Sequence, residues 1–251
     1  MFPLASAWAL RFDLVPTAAK PAVLEAIRNS GKPNIGGYGG DALYSGLWNA
    51  GGMGDFVVND LARYQPMLAE NRANWETFST GHEVNHAWTA YPGYLFQKYV
   101  SGIQPTGGGF SAFDVRPEIT GLSFAESTVP TVKGLISTRW EKMGSHRLKL
   151  FLTVPANTRA TLFMPKVAAR VRIKESGAVL WPNDSGKTVP GVLATKDVGT
   201  AIKVVLVPGT YHFQETPLIP QSAAHPTSPK PAINSRPRSE STIAAELKAK
   251  G

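Results

Sequence analysis

Arg147-Leu148-Lys149-Leu150-Phe151-Leu152-Thr153-Val154 is the stretch on which the reading of the fold turns. Leu148, Leu150, Leu152 and Val154 alternate with Arg147, Lys149, Phe151 and Thr153. Successive side chains of a β-strand point to opposite faces, so this period of two predicts a strand with one buried face. Ile202, Val204 and Leu206 repeat the pattern farther along.

Working outward, further short runs bounded by Pro, Gly and Asn read as strands: Phe113–Ile119, Thr131–Trp140, Arg159–Met164 and Val171–Lys174. An antiparallel β-sandwich is the natural way to bury the apolar faces of such a set. Upstream the period changes. Ala7–Leu14 and Pro21–Ile27 read as consecutive helices broken at Pro16, and Pro21 suits a helix's first turn. Tyr44–Leu47 and Phe56–Met67 carry apolar residues at helical spacing, as do Trp88, Tyr91, Leu95 and Tyr99 within His86–Val100. Gly36-Gly37-Tyr38-Gly39-Gly40 and Gly51-Gly52-Met53-Gly54 read as linkers, the first as a loop needing positive φ. Beyond Gln221 the chain is rich in Pro, Ser, Ala and Lys and has no aromatic residue, a composition predicted to stay disordered. The domain boundaries expected are therefore 1–105 (helical), 109–220 (β-sandwich) and 221–251 (tail), an α plus β chain of two domains.

Composition narrows the function. The chain has 251 residues and no cysteine, which excludes disulfides, thiolate metal sites and cysteine nucleophiles. Its formal charge of +8 is scattered, apart from Lys230, Arg236, Arg238, Lys248 and Lys250 in the tail. No basic run is interleaved with aromatics, so nucleic acid is not an expected partner. No apolar stretch approaches the ~20 residues that span a bilayer. Met1–Leu10 contains Ala5-Ser6-Ala7 but lacks a basic n-region, and it reads as a helix rather than a signal peptide. The compartment stays unknown.

The chemistry concentrates in Asn74-Trp75-Glu76-Thr77-Phe78-Ser79-Thr80-Gly81-His82-Glu83-Val84-Asn85-His86-Ala87-Trp88. His82-Glu83-Val84-Asn85-His86 fits H-E-x-x-H, which on a helix puts two imidazoles on one face for zinc, with Glu83 to activate water. Gly81 and the loop-like residues before it weigh against that helix. The third ligand would have to come from farther off, as from Asp114 or Glu118. The competing reading is sugar chemistry. Aromatic rings stack on sugars, carboxylates move protons, and Glu76 follows Trp75 directly. Inverting glycosidases hold two carboxyl groups about 6.5–9.5 Å apart, with room for a water. Trp8, Trp48, Trp140 and Trp181 read as core or strand residues, since tryptophan buries a large area.

A set of pieces occurs in order along the chain: Gly39-Gly40-Asp41-Ala42-Leu43-Tyr44, Leu47 through Gly52, Trp75-Glu76 and Asn85-His86-Ala87-Trp88-Thr89-Ala90. Gly102-Ile103-Gln104-Pro105, Gly109-Phe110 leading to Arg116-Pro117, and the segments Thr153–Thr158 and Ala160–Pro165 follow. On these pieces the run from Ala7 to Ile103, and on through Gly109 to Pro165, resembles the end of the bacterial α-L-rhamnosidases, glycoside hydrolase family seventy-eight. The resemblance implies the last part of an α/α six-hairpin barrel followed by the sandwich, and an inverting mechanism without cofactor or metal. It implies that Glu76 is the general base and that Trp75 and His86 line the pocket for a rhamnose-containing glycoside, His82-Glu83 being an accidental match. The family's general acid lies upstream, matching nothing here, and Asp41 and Asp55 fall outside the motif match for it. The implied chain is a C-terminal portion with little activity alone, its partner being the upstream part of the barrel. A non-catalytic carbohydrate-binding remnant and a zinc hydrolase are the alternatives.

Overall fold

The computed structural model describes residues 3–30, 36–70, 73–78 and 84–218. His82, Glu83 and the tail 221–251 lie outside the described residues.

Helices dominate the first hundred residues: α1 (Pro3–Arg11), α2 (Lys20–Asn29), α3 (Gly36–Ala50), α4 (Gly54–Asp60), α5 (Gln65–Glu70) and α6 (Tyr91–Leu95). The apolar start of the chain is helical, as expected, but α1 lies earlier than Ala7–Leu14. It stops at Arg11 because Asp13 turns left-handed, with φ 55°. Pro21 sits in the first turn of α2, where its missing N–H costs nothing. The run Phe56–Met67 is helical but broken by a 3-10 turn at Leu61–Tyr64, just before Pro66, which has no N–H to continue the ladder. The expected helix from His86 is also corrected. His86 is extended (φ −66°, ψ 128°), a 3-10 turn covers Ala87–Thr89, and α6 passes into a π-helical turn at Phe96–Val100.

The larger correction concerns Gly36–Gly40, which form the first turns of α3 rather than a loop. The glycines there serve close approach instead of positive φ. A Cβ on Gly37 would stand 2.7 Å from the Glu76 carbonyl oxygen, and one on Gly40 would overlap the Tyr91 hydroxyl. Gly51 and Gly52 do take positive φ, 84° and 71°, and turn the chain from α3 to α4.

Eleven strands follow among the described residues: β1 (Ile103–Pro105), β2 (Ala112–Val115), β3 (Phe124–Thr131), β4 (Gly134–Lys142), β5 (Leu148–Val154), β6 (Arg159–Pro165), β7 (Val171–Glu175), β8 (Ala178–Trp181), β9 (Val192–Asp197), β10 (Ala201–Leu206) and β11 (Gly209–Pro217). One sheet has the order β1-β2-β6-β10-β9 and the other β3-β4-β5-β11-β7-β8. The pairing is antiparallel except between β2 and β6, which run parallel. The architecture is thus α plus β, with two sheets arranged as a β-sandwich. Expected strands fell on the right segments, with shifted ends: the strand beginning at Phe113 stops at Val115, ahead of Pro117.

Alternation sets the core. Leu148, Leu150, Leu152 and Val154 are buried and the residues between them are not, as the sequence required. They share one core with Phe113, Leu162 and Val204 of the first sheet and with Trp140 and Phe213 of the second. Each such side chain contributes about 1.5–3 kcal/mol on burial. The same core cluster runs into the helices through Leu43, Tyr44, Leu47 and Leu95. Trp140 donates from Nε1 to the Val100 carbonyl at 2.8 Å, tying β4 to the end of the helical segment.

Candidate active-site segment

Two short segments come side by side. Trp75 forms an antiparallel bridge with Val84, and the Asn85 N–H donates to the Asn74 carbonyl at 2.7 Å. Asn85 itself turns with φ 63°, a conformation that asparagine tolerates better than most residues. The pair 74–76 and 84–86 is thereby a narrow two-stranded loop. The Gly37 N–H donates to the Glu76 carbonyl at 3.1 Å, so the loop is anchored to the first turn of α3.

Trp75 is buried, and its backbone N–H points to the Met67 sulfur at 3.4 Å. Glu76 is half-buried, on a bend directly beyond the bridge. His86 is half-buried and its ring stacks on Trp88, centroids 4.4 Å apart. Its carbonyl accepts from both the N–H and the hydroxyl of the fully buried Thr89, at 3.0 and 2.8 Å. Glu76 and His86 therefore sit at the ends of segments whose backbones are locked together.

Beneath the loop lies an aromatic cluster. Tyr64 meets Phe78 edge-on at 5.4 Å and Tyr91 at 6.0 Å, and Arg63 lies 4.6 Å over the Phe78 ring. Burial pushes the Tyr64 phenol up to about 12, and it raises Tyr44 and Tyr91 too. These phenols are neutral at ordinary pH and act as donors: Tyr44 to Asp60 at 2.7 Å, Tyr64 to the Thr89 carbonyl at 3.2 Å.

The residues considered as distant zinc ligands lie elsewhere. Asp114 is on β2, ion-paired with Arg116 at 2.9 Å. Glu118 is in the segment after β2, close to Gly54 and Asp55, and burial raises its carboxyl above the usual range. Val84, Asn85 and His86 do not continue a helix, so the described end of H-E-x-x-H lacks the helical face that the motif needs.

Beside the loop is a cavity of about 480 Å³, lined by Trp8, Tyr38, Asp41, Ala42, Ala87, Trp88, Ala90 and Tyr91. Trp8 corrects its expected place in the core, being 36% exposed. In α1, Ala7 and Leu10 are buried at helical spacing and Trp8 falls outside that stripe. Trp48 and Trp140 are buried, as expected.

Residues 102–178 match the family described as bacterial alpha-L-rhamnosidase C-terminal domain. None of the curated protein sequences matches the chain significantly. Solved structures that share its fold include three α-L-rhamnosidases. An α-L-rhamnosidase from Dictyoglumus thermophilum is 18% identical with a TM-score of 0.68, the match covering 84% of this chain and 25% of that one. For the Streptomyces avermitilis α-L-rhamnosidase complexed with L-rhamnose the values are 22%, 0.64, 84% and 21%. For native α-L-rhamnosidase from Aspergillus terreus they are 19%, 0.60, 84% and 24%. The chain thus spans about a quarter of the length of the proteins it resembles. The resemblance to the bacterial α-L-rhamnosidases is borne out at the level of the family and fold: residues 102–178 match their C-terminal domain, and solved α-L-rhamnosidases are similar to this chain in fold.

Proposed function

We propose that the chain is the C-terminal portion of an inverting α-L-rhamnosidase that hydrolyses terminal α-L-rhamnosides. In this reading α1–α6 are the last part of a six-hairpin α/α barrel, at 1–105, and the sandwich at 109–220 closes it off. Glu76 is the general base. It takes a proton from water as the oxygen attacks the anomeric carbon, while an acid on the opposite face protonates the leaving oxygen. Trp75 and His86 border the rhamnose pocket.

One observation carries the proposal. The Trp75–Val84 bridge, with the Asn85–Asn74 hydrogen bond, places the Glu76 segment beside the His86–Trp88 stack. A general base acts best when its backbone is fixed, so that its carboxylate is held in position for the water it activates.

No residue of this chain matches the family's general acid. A missing acid typically costs about 10²–10⁴-fold, so the isolated chain is expected to release little or no rhamnose. Purified chain releasing rhamnose from p-nitrophenyl α-L-rhamnoside would overturn that expectation. The pocket itself is tested by titrating L-rhamnose to millimolar concentration while following tryptophan fluorescence. Saturable binding, weakened in His86→Ala, supports the reading. A flat titration sinks it.

A further inference from the structure

The two arms of the loop, with Glu76 on one and His86 on the other, converge on Thr89. Thr89 closes the 3-10 turn after His86 and is fully buried, so it acts only through its neighbours. Its hydroxyl and its N–H both donate to the His86 carbonyl, at 2.8 and 3.0 Å. A threonine bonded to the carbonyl three residues back is a common local motif. That motif does not explain how the rest of Thr89 reaches the other arm. Its γ-methyl lies against Gly37, where a Cβ would stand 2.9 Å from Cγ2, and the Gly37 N–H holds the Glu76 carbonyl at 3.1 Å. Its carbonyl accepts from the Tyr64 hydroxyl at 3.2 Å. The Tyr64 ring in turn meets Phe78, two residues past Glu76, edge-on at 5.4 Å.

The two halves of this side chain thus have separate tasks. The hydroxyl fixes the His86 backbone and, through it, the stack of His86 on Trp88 at 4.4 Å. The methyl fills the space that a glycine at 37 leaves open, which sets how α3 meets the Glu76 carbonyl. Serine would supply only the hydroxyl, and valine only the methyl. A displacement of about 1 Å in a reacting group can cost about 10²-fold in rate. A residue that spaces the two arms therefore matters without touching the substrate.

We propose that Thr89 is a positioning residue: it sets the spacing between the Glu76 and His86 segments, through its hydroxyl on one arm and its methyl on the other. The inference rests on the reading of Glu76 and His86 as base and border of a rhamnose pocket, and it adds the residue that keeps them in register.

The test uses the intact chain, two conservative variants and one local readout for each arm. An indole face shifts the signals of an imidazole stacked on it upfield, so the His86 ring protons, assigned with His86→Ala, report that stack by NMR. Amide hydrogen exchange at Gly37 reports its bond to Glu76. Thr89→Val is expected to move the His86 signals towards free-histidine positions and to leave Gly37 exchange unchanged. Thr89→Ser is expected to do the reverse, with Gly37 exchange about tenfold faster. Each variant should weaken L-rhamnose binding, followed by tryptophan fluorescence, by about tenfold. Neither readout moving, or both moving together in both variants in step with the urea midpoint, marks a merely structural residue and overturns the proposal. Local changes that leave the affinity of a rhamnose-binding wild type untouched overturn it too. If the local readouts respond as expected but wild type binds no rhamnose, the spacing by Thr89 stands and the rhamnose pocket falls. Should Thr89→Val not fold, Tyr64→Phe takes its place, because it frees the Thr89 carbonyl while keeping the ring. It should move the His86 signals in the same direction, and unmoved signals would overturn the proposal.

Discussion

Gly37 and Glu76 meet backbone to backbone, the amide of one donating to the carbonyl of the other at 3.1 Å. A methyl group on Gly37 would stand 2.7 Å from that carbonyl oxygen and 2.9 Å from Thr89 Cγ2. Gly to Ala inside a helix normally gains about 1 kcal/mol. Here the clash is with backbone, which cannot rotate away, and overpacking of this kind costs about 1–3 kcal/mol. Gly37→Ala is therefore expected to lower stability, read as a fall in the urea midpoint. Gly93→Ala in α6, where nothing lies within 4 Å, is the control and should hold or raise it. Equal behaviour of the two variants would show that the loop is not anchored as described.

Tyr44 is fully buried and donates to Asp60 at 2.7 Å, and Asp60 is also paired with Arg63 at 3.2 Å. Phe at 44 keeps the ring and removes one donor to a buried carboxylate. A hydrogen bond to a charged group is worth about 1.5–3 kcal/mol. Tyr44→Phe should destabilise by that amount in chemical denaturation with an unchanged m-value. A loss below a few tenths would mean that the carboxylate is satisfied without it.

Glu215 titrates in the wrong place for a surface carboxylate. It is 1% exposed within β11, Val167 donates its N–H to Oε1 at 2.8 Å, and burial raises its pKa to about 7. Because the folded value lies above the unfolded one, the folded chain binds more protons between roughly pH 4.5 and 7, and stability falls as pH rises through that window. The full effect is on the order of 3 kcal/mol. Glu215→Gln keeps the acceptor for Val167 and removes the charge. It should flatten the melting temperature between pH 5 and 8 and exceed wild type at pH 8. A variant with the same pH profile as wild type would refute this.

Trp140 is buried and its Nε1 donates to Val100 at 2.8 Å. Trp140→Phe removes the donor and leaves a buried carbonyl short of a partner, a loss of about 1–3 kcal/mol. Trp140→Ala adds a cavity and should cost about 3–5 kcal/mol. Thermal melts of the two variants give the order. A phenylalanine variant as stable as wild type would mean that the indole N–H contributes nothing.

How far the sequence could be read depended on what each segment packs against. β5 and β10 sit inside their sheets, so one face is core and the other is not, and Leu148–Val154 and Ile202–Leu206 show that alternation plainly. Edge strands carry no such pressure. β3 exposes Phe124, Glu126 and Thr128, β9 is mostly solvent-facing, and neither was legible. Gly36–Gly40 misled because a run of glycines usually means a loop. Its helical state depends on Glu76 and Tyr91, which are distant in sequence and press against it. At the site, Trp75, Glu76 and His86 were picked out by resemblance, since a lone glutamate after a tryptophan has no local signature. The cavity formed by Trp8, Tyr38 and Trp88 draws on three separate segments, and no spacing rule connects them.

The bond from Trp140 to Val100 bears on how this β-sandwich can be handled as a module. The family match opens at residue 102, and a designer borrowing the sandwich as a fusion cassette would naturally cut there. That cut discards the carbonyl that an interior indole uses, along with Tyr99, whose carbonyl receives the Glu118 N–H. The transplantable unit begins upstream of the π-helical turn at Phe96, so the sandwich must travel with its last helical turns attached.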